Sequence, residues 1–229
     1  MLKNINYFSN LKVLIIFTFL IQACGSNQPE NKIGNQIWMT ENLKTEEFQN
    51  GDKIPEAKNF QEWGQFQEKN QPAWCYYNFD PNNNDKFGKL YNWAAVHDSR
   101  QLAPKGWRIP SHTDWDILID FLGVNTAGYK MKSKEGWPAN GNNNTNGDNS
   151  VNFNGFCSGF ISYSQQNKTG FFVDRDAYYW ELCPSGSEAG RELCHTNRLE
   201  FNRLNTRLKL PSREAIHDHG FSVRCVKEN

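Results

Sequence analysis

Large aromatic side chains constrain this chain more than any other feature. They make up 14% of its 229 residues, with eight Trp among them, although the whole hydrophobic share is only 38%. A chain so rich in rings is not a disordered one, and its low apolar share calls for long polar loops around a folded body. The length suits one domain of generous size, or two small ones, with a substantial core. Lys and Arg number 25, as do Asp and Glu, and no basic cluster is visible. That balance argues against a nucleic-acid partner, because neutralising phosphates takes a concentrated cationic surface. Acidic substrates held by bulk charge are equally unsupported.

The N-terminus reads as an export signal. Lys3 and Lys12 precede an apolar run over residues 13–21, too short to cross a hydrocarbon core of roughly 30 Å as a helix. Leu20-Ile21-Gln22-Ala23-Cys24-Gly25 follows and resembles a bacterial lipobox, in which the chain is cut before the Cys and the thiol is acylated. Residues 1–23 are therefore read as a signal peptide, Cys24 as the lipidated first residue, and residues 24–31 as a polar tether. Each acyl methylene contributes about 0.8 kcal/mol on insertion, so two or three chains anchor essentially permanently. Removing Lys3 and Lys12 from the 25 basic residues leaves 23 against 25 acidic, a net of −2, so the anchor rather than charge holds the domain to the membrane. Gly25 rather than Asp follows the Cys, which points to the outer membrane, with periplasmic or surface orientation open.

Export makes disulfides the expected fate of the other cysteines, Cys75, Cys157, Cys183, Cys194 and Cys225. Cys183 and Cys194 lie close enough for a local staple. Cys75 in an early strand and Cys225 in a late one form the favoured second pair, leaving Cys157 buried and unbridged, although connectivity is not readable from spacing.

No repeat or linker divides residues 32–229, which read as a single domain. Ser111-His112-Thr113-Asp114 has the form of a capping box, Trp115, Leu118, Ile119 and Leu122 share one helical face, and Gly123 supplies the stop. Leu90, Trp93, Ala94 and His97 repeat the spacing and predict a helix over 88–97. A third, short helix starts at Asn59, with Phe60 and Trp63 inward and Gly64 ending it. The second half reads as strands: 178–182, alternation at Leu199, Phe201, Leu208 and Leu210, then Phe221, Val223 and Cys225 on one side with Ser222 and Arg224 on the other. Short strands also fit 36–39, 74–77 and 156–162. Residues 136–155, full of Asn and Gly, form a long loop. Helices first and an antiparallel sheet later predict an α+β fold.

Several blocks are distinctive. They are residues 33–43 (Ile-Gly-Asn-Gln-Ile-Trp-Met-Thr-Glu-Asn-Leu), 51–55 (Gly-Asp-Lys-Ile-Pro), 74–78 (Trp-Cys-Tyr-Tyr-Asn), 88–96 (Gly-Lys-Leu-Tyr-Asn-Trp-Ala-Ala-Val), 103–111 (Ala-Pro-Lys-Gly-Trp-Arg-Ile-Pro-Ser) and 220–226 (Gly-Phe-Ser-Val-Arg-Cys-Val). In this order, and covering nearly all of the exported chain, they resemble the Fibrobacter succinogenes major paralogous domain. That family is similar to the C-type lectin-like fold, in particular to the branch holding the formylglycine-generating enzymes. The resemblance implies two main helices flanking a small twisted antiparallel sheet, N- and C-terminal strands that pair, and long irregular loops carrying any ligand site. Members are commonly exported proteins or lipoproteins. Two departures bear on the cysteines. Many members carry Cys where this chain has Ala103, and if that Cys pairs with the one in the Trp-Cys-Tyr-Tyr block, Cys75 stands without its partner. Trp180-Glu181-Leu182-Cys183 replaces the usual Trp-Ser-Ser, so a 183–194 pair would be particular to this chain.

Candidate chemistry is sparse. Thiol catalysis at Cys183 and Cys194 would have only Arg191 and His195 nearby to lower a pKa, and a structural disulfide outweighs it. His217-Asp218-His219 puts two imidazoles on one face of an extended segment but shows no third metal ligand. Asp80, Asn82, Asn84 and Asp85 offer oxygen ligands for a structural calcium ion, against the alternative of a polar turn, and lack the Gly and distal Glu of an EF-hand. Trp63, Trp137, Tyr163, Tyr178 and Tyr179 offer a flat aromatic face for a sugar, although rings fill cores more often than they line glycan sites. No Ser/His/Asp constellation, P-loop or GxGxxG occurs. The expectation is a membrane-anchored, non-catalytic module binding a glycan or an envelope protein. The alternatives are an oxidoreductase-like relative of the formylglycine generators and a purely structural envelope protein.

Overall fold

A computed structural model describes residues 28–139, 144–173, 176–182, 195–199, 206–209 and 218–228, with the backbone alone at 195–199 and 206–209. The expected signal peptide (residues 1–23), Cys24, the expected Cys183–Cys194 pair, Arg191 and His217 lie outside the described residues.

The described chain is α+β, with two curled, mainly antiparallel sheets. In the first, β1 (Glu30–Ile33) and β2 (Gln36–Met39) make a hairpin turning at Gly34, β12 (Val226–Lys227) pairs with β2 through Val226 and Trp38, and β5 (Trp107–Arg108) pairs with β12. The first and last strands of the domain therefore belong to one sheet. The second sheet is centred on β11 (His219–Ser222). On one edge β11 pairs with β4 (Leu90–Asn92), which pairs with β3 (Trp74–Cys75). On the other edge it pairs with β6 (Phe160–Ser164), the partner of β7 (Thr169–Val173), and runs parallel to β8 (Ala177–Trp180). Beyond β8 come β9 (His195–Leu199) and β10 (Thr206–Lys209).

Local sequence explains the helices. In α4 (His112–Leu122) the expected capping box forms: the Asp114 amide donates to Ser111 Oγ at 3.3 Å and the Ser111 amide donates to Asp114 Oδ2 at 2.7 Å. Trp115, Leu118 and Leu122 are buried, and Gly123 ends the helix at a φ of 85°. In α1 (Phe60–Glu68) Asn59 is the cap, accepting from the Glu62 amide at 2.9 Å. Here the expected stop at Gly64 is corrected, for the helix runs four residues beyond it. A Cβ on Gly64 would come within 2.2 Å of the Tyr163 ring, so the glycine makes room for β6 rather than breaking the helix. Short helices α2 (Asn84–Phe87), α3 (Trp93–Val96) and α5 (Ala127–Met131) complete the set among the described residues.

The expected helix over 88–97 is half strand. Leu90 and Tyr91 are buried in β4, which has a neighbour on each edge, and only from Trp93 does the chain turn helical. A strand buried on both faces gives the same continuous apolar run as a buried helix. Asn92 makes the switch, its Oδ1 accepting from the amides of Ala95 and Ala73, both at 3.0 Å. Elsewhere the strand expected at 74–77 stops at Cys75, that at 156–162 becomes Phe160–Ser164, and that at 178–182 becomes Ala177–Trp180.

The core divides into three apolar clusters, one between the sheets, one behind α4 and one behind α1. Each holds one of the described cysteines, all buried: Cys225 in the first, Cys157 in the second and Cys75 in the third. The expected Cys75–Cys225 disulfide is therefore corrected, since the two thiols fill different clusters and neither is bridged.

Residues 223–225 connect the two sheets. Val223 and Cys225 face the first cluster, as the alternation predicts, whereas Arg224 points away from it and is nevertheless only 1% exposed. Its guanidinium donates to the carbonyls of Met39 and Phe153 and to Asn42 Oδ1, and lies over the Phe153 ring at 4.4 Å. One cation thus joins the end of β2, the loop before β6 and the final strand. Lys carries a point charge in place of the planar fork. Arg224→Lys is expected to destabilise the domain by about 3 kcal/mol, because buried carbonyls lose their donors. Chemical denaturation followed by tryptophan fluorescence measures the change.

Candidate functional site

The aromatic residues proposed for a sugar platform form no open groove. Trp63 and Tyr163 pack in the cluster behind α1, Trp137 and Tyr179 in the one behind α4, and Tyr178 in the one between the sheets; all five are buried. The platform is corrected to core. In this apolar-poor chain the rings are the main filling available, and burying one removes far more surface from water than sugar stacking would.

The other sequence candidates are spread over the molecule. Residues 81–83 and 84–87 form successive helical turns. Asp80 Oδ1 accepts from the amide and side chain of Asn82, at 3.0 and 2.8 Å, while Asn84 Oδ1 accepts from the Lys89 ammonium at 3.4 Å. Asp80 and Asn82 are thus joined as a capping pair. Asn84 faces a cation of the protein itself, and Asp85 stands in the first turn of α2. His219 stacks on Phe221, with ring centres 5.5 Å apart and planes 7° from parallel, and its neighbour Asp218 accepts from the Tyr163 amide through its carbonyl.

The described surface does hold a cleft, of about 650 Å³, between two loops that follow the first hairpin and precede β5. Residues 41–45 and 47–49 form one wall and 102–105 the other, with Gln28 at its edge. Leu43, Phe48, Leu102 and Ala103 form the apolar parts, being buried, while Glu41, Lys44, Glu47 and Lys105 bring charges of both signs. Lys44 pairs with Glu41 at 2.8 Å and Glu47 with Lys53 at 2.9 Å. The loop is pinned from below by buried Lys89, which donates to the Lys44 carbonyl at 3.0 Å, pairs with Glu46 at 3.2 Å and lies over the Trp74 ring at 4.4 Å. Burial pushes the Lys89 ammonium below its ordinary pKa despite Glu46. Arg100 holds the far end, reaching Asp98 at 2.8 Å and Asp52 at 3.0 Å, and keeps both carboxyls below their usual range.

A smaller cavity of about 260 Å³ shares Gln49, Leu102 and Ala103 with the cleft and adds His97, Asp98, Trp107, Arg108, Leu182 and Glu228. Its Arg108 is clamped by Asp114 through two bonds of 2.5 and 2.7 Å. Residues 41–43 and 103–105 fall in two of the distinctive sequence blocks, but none of the cleft residues was a candidate for ligand binding. Their signal is a charge-dense, aperiodic stretch at 41–53 between two apolar strands, a pattern shared with any solvated loop.

Two curled sheets joined through the first and last described strands, a core of rings, and a loop-walled cleft of mixed charge define an α+β domain. The chain belongs to the Fibrobacter succinogenes major domain family, whose model matches residues 32–227. No match was found among curated proteins or among solved structures.

Asp114 is one of the carboxyls, with Asp52 and Asp98, whose lowered pKa makes the framework sensitive to acid. Burial raises its pKa, but the bonds from Arg108 and Ser111 outweigh that and the net position lies below the usual carboxylate value. A folded-state pKa below the unfolded one adds stability above about pH 4, lost as pH falls through the folded value. Asp114→Asn should cost about 2 kcal/mol at neutral pH and flatten the acid limb of stability below about pH 4. Thermal unfolding across pH 2–7 reads both.

Proposed function

We propose that this chain is a lipid-anchored envelope protein with a C-type lectin-like domain that binds a glycan or protein ligand without transforming it. The observation that carries this reading is the cleft between residues 41–49 and 102–105, with its apolar lining and charges of both signs on a braced loop pair. Such a surface suits a polyhydroxylated or peptidic ligand, held by hydrogen bonds at the rim and by apolar contact below. Pairing of Trp38 with Val226, which ties first and last strands together, supports the lectin-like architecture. Two of the described thiols, Cys75 and Cys225, do not speak for turnover. Burial pushes Cys225 up to about 12 and Cys75 well above its ordinary value, so neither is a nucleophile at neutral pH.

Glycan-array and cell-wall pull-down experiments with the purified protein test the binding reading. Retention of one ligand class, weakened about tenfold by joint Lys44→Ala and Lys105→Ala substitution, is the expected result. A protein that retains nothing from either source at high concentration contradicts it. The anchor is tested separately: Cys24→Ser should abolish incorporation of labelled fatty acid and release the protein from membranes.

A further inference from the structure

We infer that the exposed apolar side of α4 and the turn after it rest on the bilayer to which the chain is tethered, with Ile117, Phe121 and Val124 entering its interfacial layer. The inference deepens, and rests on, the lipid-anchored reading. Ile117 and Phe121 lie one turn apart on α4, to one side of the face buried by Trp115, Leu118 and Leu122, and Val124 follows Gly123, which ends the helix. Ile117, Phe121 and Val124 are 46%, 61% and 60% exposed, and Tyr129 on the adjoining α5 is 49% exposed. Only one other large apolar side chain among the described residues, Phe171, is as open. Scattered exposed apolar residues are ordinary, but four within residues 117–129, in a chain short of apolar residues, are not.

The position of this patch selects its occupant. The Phe121 ring lies against the turn of the first hairpin, where a Cβ on Gly34 would be 3.0 Å from it. That hairpin begins at Glu30, six residues after Cys24. An extended chain covers at most about 3.5 Å per residue, so an acylated Cys24 lies within about 20 Å of Glu30 and about 35 Å of the Phe121 platform. The tether therefore holds the patch within reach of the membrane surface continuously. So small a patch would not hold to lipid unaided, but attachment through so few residues gives an effective concentration of about a millimolar, at which weak contacts fill. Asp116 and Asp120 flank the patch, which favours zwitterionic over anionic headgroups.

The test uses the protein on vesicles of phosphatidylethanolamine containing a little phosphatidylglycerol, with a photoactivatable diazirine confined to the lipid phase. Peptides spanning 112–131 should take up about five times more label than those spanning α1. Joint Ile117→Ser and Phe121→Ser substitution should bring the first down to the level of the second while the protein stays on the vesicles. Equal labelling of the two helices in vesicle-bound protein overturns the inference. So does a dimer in lipid-free solution that the same substitutions dissociate, which would assign the patch to a second copy. Mass analysis of Cys24 from cells reads the anchor on its own. Repeating the labelling with a histidine tag at position 24 on nickel-chelating lipid keeps the patch testable if that thiol carries no acyl chain.

Discussion

The fold depends on a buried cation with no carboxylate bonded to it among the described residues. Arg224 is enclosed by the Met39 and Phe153 carbonyls, the Asn42 amide oxygen and the face of Phe153. Burial pushes its pKa down, and the guanidinium stays charged because the ordinary value is so high. A fully desolvated charge is tolerable only where its donors are met, and here the partners come from segments far apart in sequence. The requirement is met only when β2, the loop before β6 and the last strand come together. Around it the Met39 amide donates to the Cys225 carbonyl at 3.0 Å and the Leu43 amide to that of Val223 at 2.8 Å, extending the contact between the chain's two ends beyond the strands themselves.

Bracing by buried basic groups recurs. Lys89 does beneath the cleft loop what Arg224 does between the sheets, using an aromatic face and a backbone carbonyl, and Lys132 donates to the Thr145 carbonyl while lying over Trp137. In a chain whose loops carry few apolar residues, one long side chain that satisfies several carbonyls and covers a ring can order a polar segment. The walls of the cleft are fixed in this way, through contacts made below them.

Local signals in the sequence proved dependable where the physics is local. Ser111 with Asp114, Asn59 with Glu62, and Gly123 mark helix ends because caps act within one turn. What could not be seen was set by tertiary partners. The apolar run at 88–97 carries no sign that Leu90 and Tyr91 would pair with β11 instead of coiling. Gly64 reads as a stop until the Tyr163 ring is in place. Arg224 alternates with apolar residues and so reads as facing water. The candidate site was less legible still: aromatic residues suggested a ligand face because ring chemistry suits one, but in this composition the core claims them. The cleft is walled by residues whose pattern matches any exposed loop.

The closing of the first sheet has a mechanical consequence. Glu30, the first residue of β1, pairs with Met39 across the hairpin and is held to Lys227 by an ion pair of 2.7 Å. A pull applied ahead of Glu30 therefore arrives at a clasp whose other half is β12. Peeling from that side must open the clasp first, so the domain resists traction where β1 begins.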